Sequence, residues 1–169
     1  WGVPRFDLMQ IHNMVDWEVH LEVLREMKRE GRIRYIGITT SHGRRHDDLL
    51  RAMKKADFDF VQFTYGLHDR DAENQLLPLA VERRMAVIAN RPFDGGDLFT
   101  RVRGRPLPDW AGEIDCVNWA QFFLKFVVSH PAVTCAIPAT SRADHMRENM
   151  GANYGRLPDA ALRRRMAQH

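Results

Sequence analysis

Short apolar runs alternate with longer amphipathic stretches along the chain, and this alternation predicts strands that are each followed by a helix. The strand-like runs cover residues 6–11, 33–38, 58–63, 85–89 and 133–137. Helical spacing of apolar positions covers residues 17–29, 47–55, 73–84 and 116–129, then a helix from Ser141 or Arg142 to about Met150, and a last helix through Met166 with Pro158 in its first turn. Strands separated by helices are typical of parallel βαβ units.

The boundaries of the first helix are marked by residues that commonly end helices. Asp16 precedes residues 17–29 and Gly31 follows them. Because the stretch is amphipathic, its apolar residues are expected to face the core. These are Val19, Val23, Leu24 and Met27.

A polar residue or pair lies at or shortly after the end of each predicted strand. In chain order these are His12, Thr39-Thr40, Gln62, Asn90-Arg91 and Thr140-Ser141. In a parallel (β/α) barrel the ligand lies outside the carboxyl ends of the strands, so these residues predict an active site on one rim. An eight-stranded barrel needs about eight strands and about 250 residues. Residues 1–169 are therefore interpreted as a single domain, with about five β/α units of a (β/α)8 TIM-type barrel.

The segment of residues 91–110 interrupts the alternation. It is rich in proline and glycine and is longer than an ordinary connection between a strand and a helix. We expect a functional loop over the barrel mouth.

Composition excludes several classes of function. The net charge of +3 is small and dispersed, and the aromatic residues around Phe122 have the helical spacing of a core, so no nucleic-acid partner is predicted. Residues 119–128 form the most apolar stretch, but it is about half a membrane span long and contains Lys125. It is interpreted as a buried helix, without a membrane role. His42 and His46 have no acidic third ligand nearby, so no metal site is predicted.

Two cysteines are too few for a disulfide framework, which favours a reducing, cytoplasmic location. Asp115 is expected to cap the helix of residues 116–129. This would place Cys116 in the first helical turn, where the helix dipole lowers the pKa of a thiol. No base accompanies it, and Cys116 is interpreted as a structural thiol.

Four segments, taken in order, resemble the successive signatures of the aldo/keto reductases. They are DLMQIH ending at His12, EGRIRYIGITT ending at Thr40, FVQ ending at Gln62, and IPATS followed by HMREN ending at Asn149. The resemblance runs from Phe6 to about Leu162 and matches the fourth to eighth strands of that barrel. It implies an NAD(P)H-dependent oxidoreductase that interconverts small carbonyl compounds and alcohols by hydride transfer.

The resemblance assigns roles to the residues of the rim. His12 stands where a histidine orients the substrate carbonyl. Thr39 and Thr40 replace a Ser-Asn pair that, together with Gln62, hydrogen-bonds the nicotinamide carboxamide. Asn90 stands where many members place an aromatic ring that stacks on the nicotinamide, and Arg91 follows it.

The stretch after the last predicted strand indicates an anion site. Helix-start amides, the hydroxyls of Thr140 and Ser141 and the guanidinium of Arg142 are expected to converge on a phosphate, which favours NADP. The resemblance adds Glu148 and Asn149 as adenine contacts. It also places His145 where the family has an arginine.

In the family a tyrosine protonates the carbonyl oxygen, assisted by a lysine and an aspartate, and all three precede the strand that here ends at His12. Tyr35, Tyr65 and Tyr154 do not match its motif. This chain is therefore expected to be inactive alone and to need the missing N-terminal barrel portion or to self-associate. Two alternatives stay open: a non-catalytic nucleotide-binding or scaffold protein derived from the barrel, and another barrel enzyme with a phosphate site, such as an isomerase or aldolase.

Overall fold

The computed structural model describes residues 2–169, in which strands alternate with helices. The strands are β1 (Phe6–Ile11), β2 (Ile33–Thr39), β3 (Phe60–Thr64), β4 (Ala86–Asn90) and β5 (Cys135–Ala136). The helices are α1 (Trp17–Arg29), α2 (His46–Lys55), α3 (Leu76–Glu82), α4 (Asp97–Arg101), α5 (Trp119–Val128), α6 (Ala143–Met150) and α7 (Ala160–Gln168). Each of the five predicted strands is present.

The strands form one sheet in the order β1-β2-β3-β4-β5. The pairs β1–β2 and β2–β3 are parallel, with Ile11 opposite Ile38 and Thr39 opposite Gln62. Parallel neighbours need a crossover connection, and α1 and α2 provide the first two. The parallel (β/α) architecture predicted from the alternation is confirmed.

The chain divides into two compact units. Among the described residues, unit 1 comprises residues 2–64 and 71–88, and unit 2 comprises residues 65–70 and 89–169. The helices α1 to α3 lie in unit 1 and α4 to α7 lie in unit 2. That residues 1–169 form a single domain stays a prediction.

The core of unit 1 lies between its strands and its helices. On α2 the residues Leu49, Leu50 and Met53 are buried. On α1 the buried residues are Leu21 and Leu24. In both helices the buried positions are spaced three or four residues apart, which places them on one face.

The expectation for two valines of α1 is wrong. Val19 and Val23 are 68% and 55% exposed, and Val15, one turn before them, is 56% exposed. Val19 and Val23 are four apart on α1 and therefore lie on one face of it, whereas Val15 precedes the helix in an extended conformation. We call residues Val15, Val19 and Val23 the valine stripe. No described residue covers it.

The core of unit 2 is built around α5, whose residues 120–127 are all buried. Lys125 is fully buried within this helix, and its Nζ donates to the carbonyl oxygens of Ile114, Tyr154 and Arg156 at 2.6, 2.6 and 3.0 Å. A buried ammonium is tolerated only when its donors are satisfied. Lys125 therefore ties two connecting segments to the core, and the predicted buried helix is confirmed.

The start of α5 differs from the prediction. The helix begins at Trp119 rather than residue 116, and its cap is Asn118, whose side chain accepts from the backbone N–H of Gln121 at 2.9 Å. Asp115 does not cap it. That residue has a left-handed backbone with φ of 52°, and its carboxylate accepts from Arg156, which lowers the pKa of Asp115 far below its usual range.

Other boundaries also differ. The helix predicted for residues 73–84 is shorter in the structure. It covers only Leu76–Glu82, and a 3-10 turn at Asp71–Glu73 precedes it. The expected loop of residues 91–110 contains the 3-10 turn Asp94–Gly96 and the short helix α4. The cap of α7 is Asp159, so Pro158 precedes the cap instead of occupying the first turn.

Within residues 2–169 no helix combines the length and apolar character that a membrane crossing requires.

We predict that Asn118→Ala lowers the free energy of unfolding by about 1 kcal/mol, because an N-cap acceptor is lost at the helix that forms the core of unit 2. Asn118→Asp keeps the acceptor and should stay close to the wild type. Urea denaturation of the three chains measures this difference. An equal loss in Asn118→Asp would show that the amide side chain acts in some other way.

Candidate functional site

In unit 1 the structure gathers polar groups at the carboxyl ends of β1, β2 and β3. His12 directly follows β1 and is exposed. Its Nε2 lies 3.1 Å from the Nδ2 of Asn13. The contact links the imidazole ring to the loop that follows β1.

The loop that holds His12 has an unusual backbone. Asn13, Met14 and Asp16 have φ values of 52°, 58° and 41°, a region that residues other than glycine seldom occupy. The backbone N–H of Asn13 donates to Oγ1 of Thr39 at 2.9 Å, and its carbonyl accepts from Arg45 at 3.2 Å. These contacts hold the loop in a conformation that costs about 1–3 kcal/mol per such residue. Asn13 and Asp16 are of the residue types that tolerate this region best after glycine, whereas Met14 is not.

The two threonines are buried beside the end of β3. Thr39 and Thr40 are 3% and 1% exposed. The N–H of Thr40 donates to the carbonyl of Gln62 at 2.9 Å, and its hydroxyl donates to the carbonyl of His42 at 3.3 Å. The structure thus brings Thr39, Thr40 and Gln62 together, with His12 linked to them through Asn13.

Unit 2 contains a groove of about 660 Å³, a size typical of small-molecule sites. One wall follows β4 and the other follows β5 and α6. Its lining residues are Arg91, Pro92, Phe93, Gly95, Gly96, Phe99, Ala120, Ile137, Pro138, Ala139, Thr140, His145, Glu148 and Asn149. The groove therefore collects five of the residues predicted from the sequence: Arg91, Thr140, His145, Glu148 and Asn149.

Asn149 is the most enclosed polar residue of this groove, with 6% exposure. The segment that carries it is held by Gln121 of α5, which donates from Nε2 to the carbonyl of Glu148 at 3.3 Å and accepts from the N–H of Val117 at 3.1 Å. Gln121 was not predicted from the sequence. It lies within an apolar helix, and its contact with Glu148 joins residues that are distant in the chain.

Arg142 and Ser141 lie outside the groove lining. The guanidinium of Arg142 is paired with Asp144, with Nε 3.0 Å from Oδ1 and a second bond from Nη2 to Oδ2. These bonds from Arg142 hold the pKa of Asp144 well below its usual range. The backbone N–H of Arg142 donates to Oγ1 of Thr140 at 3.2 Å. The predicted anion-binding guanidinium is thus engaged by a carboxylate in this conformation.

Asn90 ends β4 and is 7% exposed, and its carbonyl accepts from the N–H of Tyr65 at 3.3 Å. The aromatic residues of the groove, Phe93 and Phe99, are packed against each other with ring centroids 4.8 Å apart. Their ring contact leaves the groove with an apolar wall on the side of the connection after β4.

Neither cysteine has the character of an activated thiol. Cys116 precedes α5 instead of lying in its first turn, and burial raises the pKa of its thiol to about 11. The expectation of a lowered pKa is therefore wrong. Burial also raises the pKa of Cys135. Among residues 2–169 no group of three or more His, Cys, Asp or Glu residues is arranged to hold a metal ion.

Comparison with known proteins gives consistent matches. The family model described as Aldo/keto reductase family matches residues 1–165. An uncharacterised oxidoreductase of Schizosaccharomyces pombe is 29% identical over 154 residues, covering 89% of this chain and 48% of the relative. Pyridoxine 4-dehydrogenase of Escherichia coli is 27% identical over 145 residues, covering 86% of this chain and 48% of that relative.

The fold has a counterpart among solved structures. An aldo-keto reductase of Bacillus halodurans, in a holo form, superposes with a TM-score of 0.74 and 22% identity over 98% of this chain and 61% of that chain. This likeness shows the fold. The chain spans about half the length of the two curated relatives above.

Proposed function

The chain belongs to the aldo/keto reductase family, and from this premise we propose that it supplies the cofactor-binding part of an NADP-dependent oxidoreductase that reduces small carbonyl compounds. The observation that carries the proposal is the groove of unit 2, because Thr140, Glu148 and Asn149 line it together. A nicotinamide cofactor supplies the hydride, and the protein supplies binding and orientation.

The groove fits the adenosine end of such a cofactor. Its walls are mainly apolar, which suits a purine ring, and the buried side chain of Asn149 offers an amide that can both donate and accept. Thr140 stands just before α6, where hydroxyl and backbone N–H groups bind phosphate. The proposal assigns the 2′-phosphate to Ser141, Arg142 and His145.

The proposal assigns the carboxamide of the nicotinamide to Thr39, Thr40 and Gln62. The hydroxyl of Thr40 already donates to a backbone carbonyl, so Gln62 carries most of this recognition. His12 orients the substrate carbonyl. To donate from Nε2, its ring must first release the contact with Asn13.

Protonation of the carbonyl oxygen needs an acid, and no tyrosine of residues 1–169 matches the motif of the family's catalytic tyrosine. Tyr35 lies on β2 and is 38% exposed, Tyr154 is 73% exposed, and Tyr65 is buried with its hydroxyl accepting from Arg163 at 2.7 Å. We infer that the acid belongs to further β/α units of the functional protein. A non-catalytic scaffold is not favoured, because the curated relatives carry oxidoreductase names.

Those further units are the partner that the proposal implies. In the described sheet β1 is an edge strand, and the valine stripe is exposed on α1 and on the segment that joins β1 to it. Unpaired strand edges and uncovered apolar surface favour association. That residues 1–169 are part of one barrel domain, and that the protein is cytoplasmic, belong to the same proposal.

We predict that this chain binds NADPH and that Arg142→Ala weakens the binding about tenfold while leaving NADH binding unchanged, because a charge-assisted bond to the 2′-phosphate is lost. Nicotinamide fluorescence titrations measure both affinities. Arg147→Ala is the matched control, since Arg147 lies on α6 outside the groove lining. Equal losses for NADPH and NADH would remove Arg142 from the phosphate site.

We expect no detectable oxidation of NADPH by this chain with a small aldehyde. The proposed general acid lies outside residues 1–169, and such an acid commonly contributes about 10²–10⁴ in rate. Nicotinamide absorbance at saturating cofactor measures the rate. Turnover that disappears in Tyr35→Phe, but persists in Tyr154→Phe, would contradict this expectation and identify Tyr35 as the acid.

Self-association of the chain alone is the third expectation. Sedimentation velocity should show oligomers that dissociate on dilution, and the double variant Val19→Glu, Val23→Glu should shift the population to monomer by charging the valine stripe. The control is Val81→Glu, since Val81 is an exposed valine on α3, 60% accessible. A wild-type chain that is monomeric at high concentration would rule out this surface as a contact.

A further inference from the structure

Gln10, which has no role assigned from the sequence, contacts a residue of the candidate site. It lies on β1 two positions before His12, and its Nε2 donates to Oε1 of Gln62 on β3 at 3.2 Å. The two residues belong to strands that are not neighbours, since β2 lies between them. Both are partly buried in unit 1.

Gly37 of β2 makes this contact sterically feasible. The register places Gln10 opposite Gly37 and Gly37 opposite Phe60. A Cβ atom at Gly37 would lie 2.8 Å from Cγ and 2.9 Å from Oε1 of Gln10. The side chain of Gln10 therefore occupies the space that a side chain on β2 would fill.

Backbone conformation does not explain the glycine. Gly37 is absent from the glycines with positive φ among residues 2–169, and glycine weakens the interior of a strand. Position 37 therefore carries a residue that is unfavourable in a strand. The absence of a side chain there leaves space for the side chain of Gln10.

The contact determines which end of the Gln62 amide is available. A glutamine amide has an acceptor oxygen and a donor nitrogen, and it can turn by half a rotation to exchange them. Because Gln10 donates to the Gln62 oxygen, that oxygen is engaged and the Gln62 Nε2 is left to donate elsewhere. The Oε1 of Gln10 is buried and has no hydrogen-bond partner among the described residues, so the pair is held although one acceptor stays unsatisfied.

We propose that Gln10 is a positioning residue that fixes the Gln62 amide with Nε2 directed to the cofactor, where it donates to the carbonyl oxygen of the nicotinamide carboxamide. This inference rests on the proposed function, because it names the orientation of a group at the proposed carboxamide site. Gly37 supplies the space that the arrangement requires. The consequence is a preference of the site for a ligand carbonyl rather than for a ligand N–H group.

The test uses Gln10→Glu, which replaces the donor by acceptor oxygens. A carboxylate at position 10 attracts the Gln62 Nε2, so the amide turns and offers Oε1 to the ligand. The probes are NADPH and its reduced 3-acetylpyridine analogue, which keeps the carbonyl but carries a methyl group in place of the amide nitrogen. Fluorescence titration of each chain with both probes gives the ratio of the two affinities.

We expect the wild-type chain to bind both probes with similar affinity, and Gln10→Glu to prefer NADPH over the analogue by about tenfold, the value of one hydrogen bond to the missing N–H group. The matched control is Gln75→Glu, an identical substitution at an exposed residue, which should keep the wild-type ratio. An unchanged ratio in Gln10→Glu overturns the proposal, as does a wild type that already rejects the analogue.

Gln10→Met keeps the size of the side chain and separates loss of orientation from loss of fold. We expect about threefold weaker NADPH binding and unchanged binding of 2′-phospho-ADP-ribose, which lacks the nicotinamide. Equal weakening of both ligands indicates a structural role and overturns the proposal. A wild-type chain that binds none of the three ligands contradicts the proposed function itself, whereas binding with an unaltered probe ratio contradicts only the role of Gln10.

Discussion

Parallel pairing of β1, β2 and β3 is the constraint on which the candidate site of unit 1 depends. Parallel strands place their carboxyl ends at the same edge of the sheet, and the register sets Ile11 opposite Ile38 and Thr39 opposite Gln62. The residues that follow β1 and β2 therefore meet at one edge, although they are far apart in the chain. The pairing requires crossover helices, and α1 and α2 are buried through one face each, so the packing that stabilises the unit also holds its polar rim.

A side-chain contact across three strands depends on the same register. Gln10 reaches Gln62 only because β2 presents Gly37 between them. Successive side chains of a strand point to opposite faces. A shift of β2 by one residue would therefore put the side chain of Ile36 or Ile38 in place of Gly37 on the face that carries Gln10. The orientation of one amide in the rim is thus tied to the pairing of the whole sheet.

Unit 2 relies on a buried charge. Removing an ammonium from water is costly, and Lys125 offsets this cost with three bonds to carbonyl oxygens from residues 114, 154 and 156. These carbonyls belong to the segments that precede α5 and follow α6, so one side chain joins both to the core. Gln121, on the same helix, holds the end of α6 that carries Asn149.

The sequence by itself determined the kind and order of the elements other than α4, which lies in a segment expected to be a loop, because strand runs and helical spacing are local patterns. The predicted bounds of β1 and α1 agree with the structure. The residue pattern selected Thr140 and the resemblance added Glu148 and Asn149, and these three residues line one groove. Only the tertiary structure decided which partner each polar group takes. Asn118 rather than Asp115 caps α5, and the Asp115 carboxylate instead accepts from Arg156, 41 positions away.

For the same reason an apolar residue can be exposed in the structure. The valines of α1 have the spacing of a buried face, yet burial depends on whether another element packs on them, and none of the described ones does. Arg142 has the chemistry of a phosphate ligand, but its guanidinium pairs with Asp144. Periodicity and residue type are properties of neighbouring positions in the chain, whereas coverage and pairing depend on distances in space, and those are set when the elements pack.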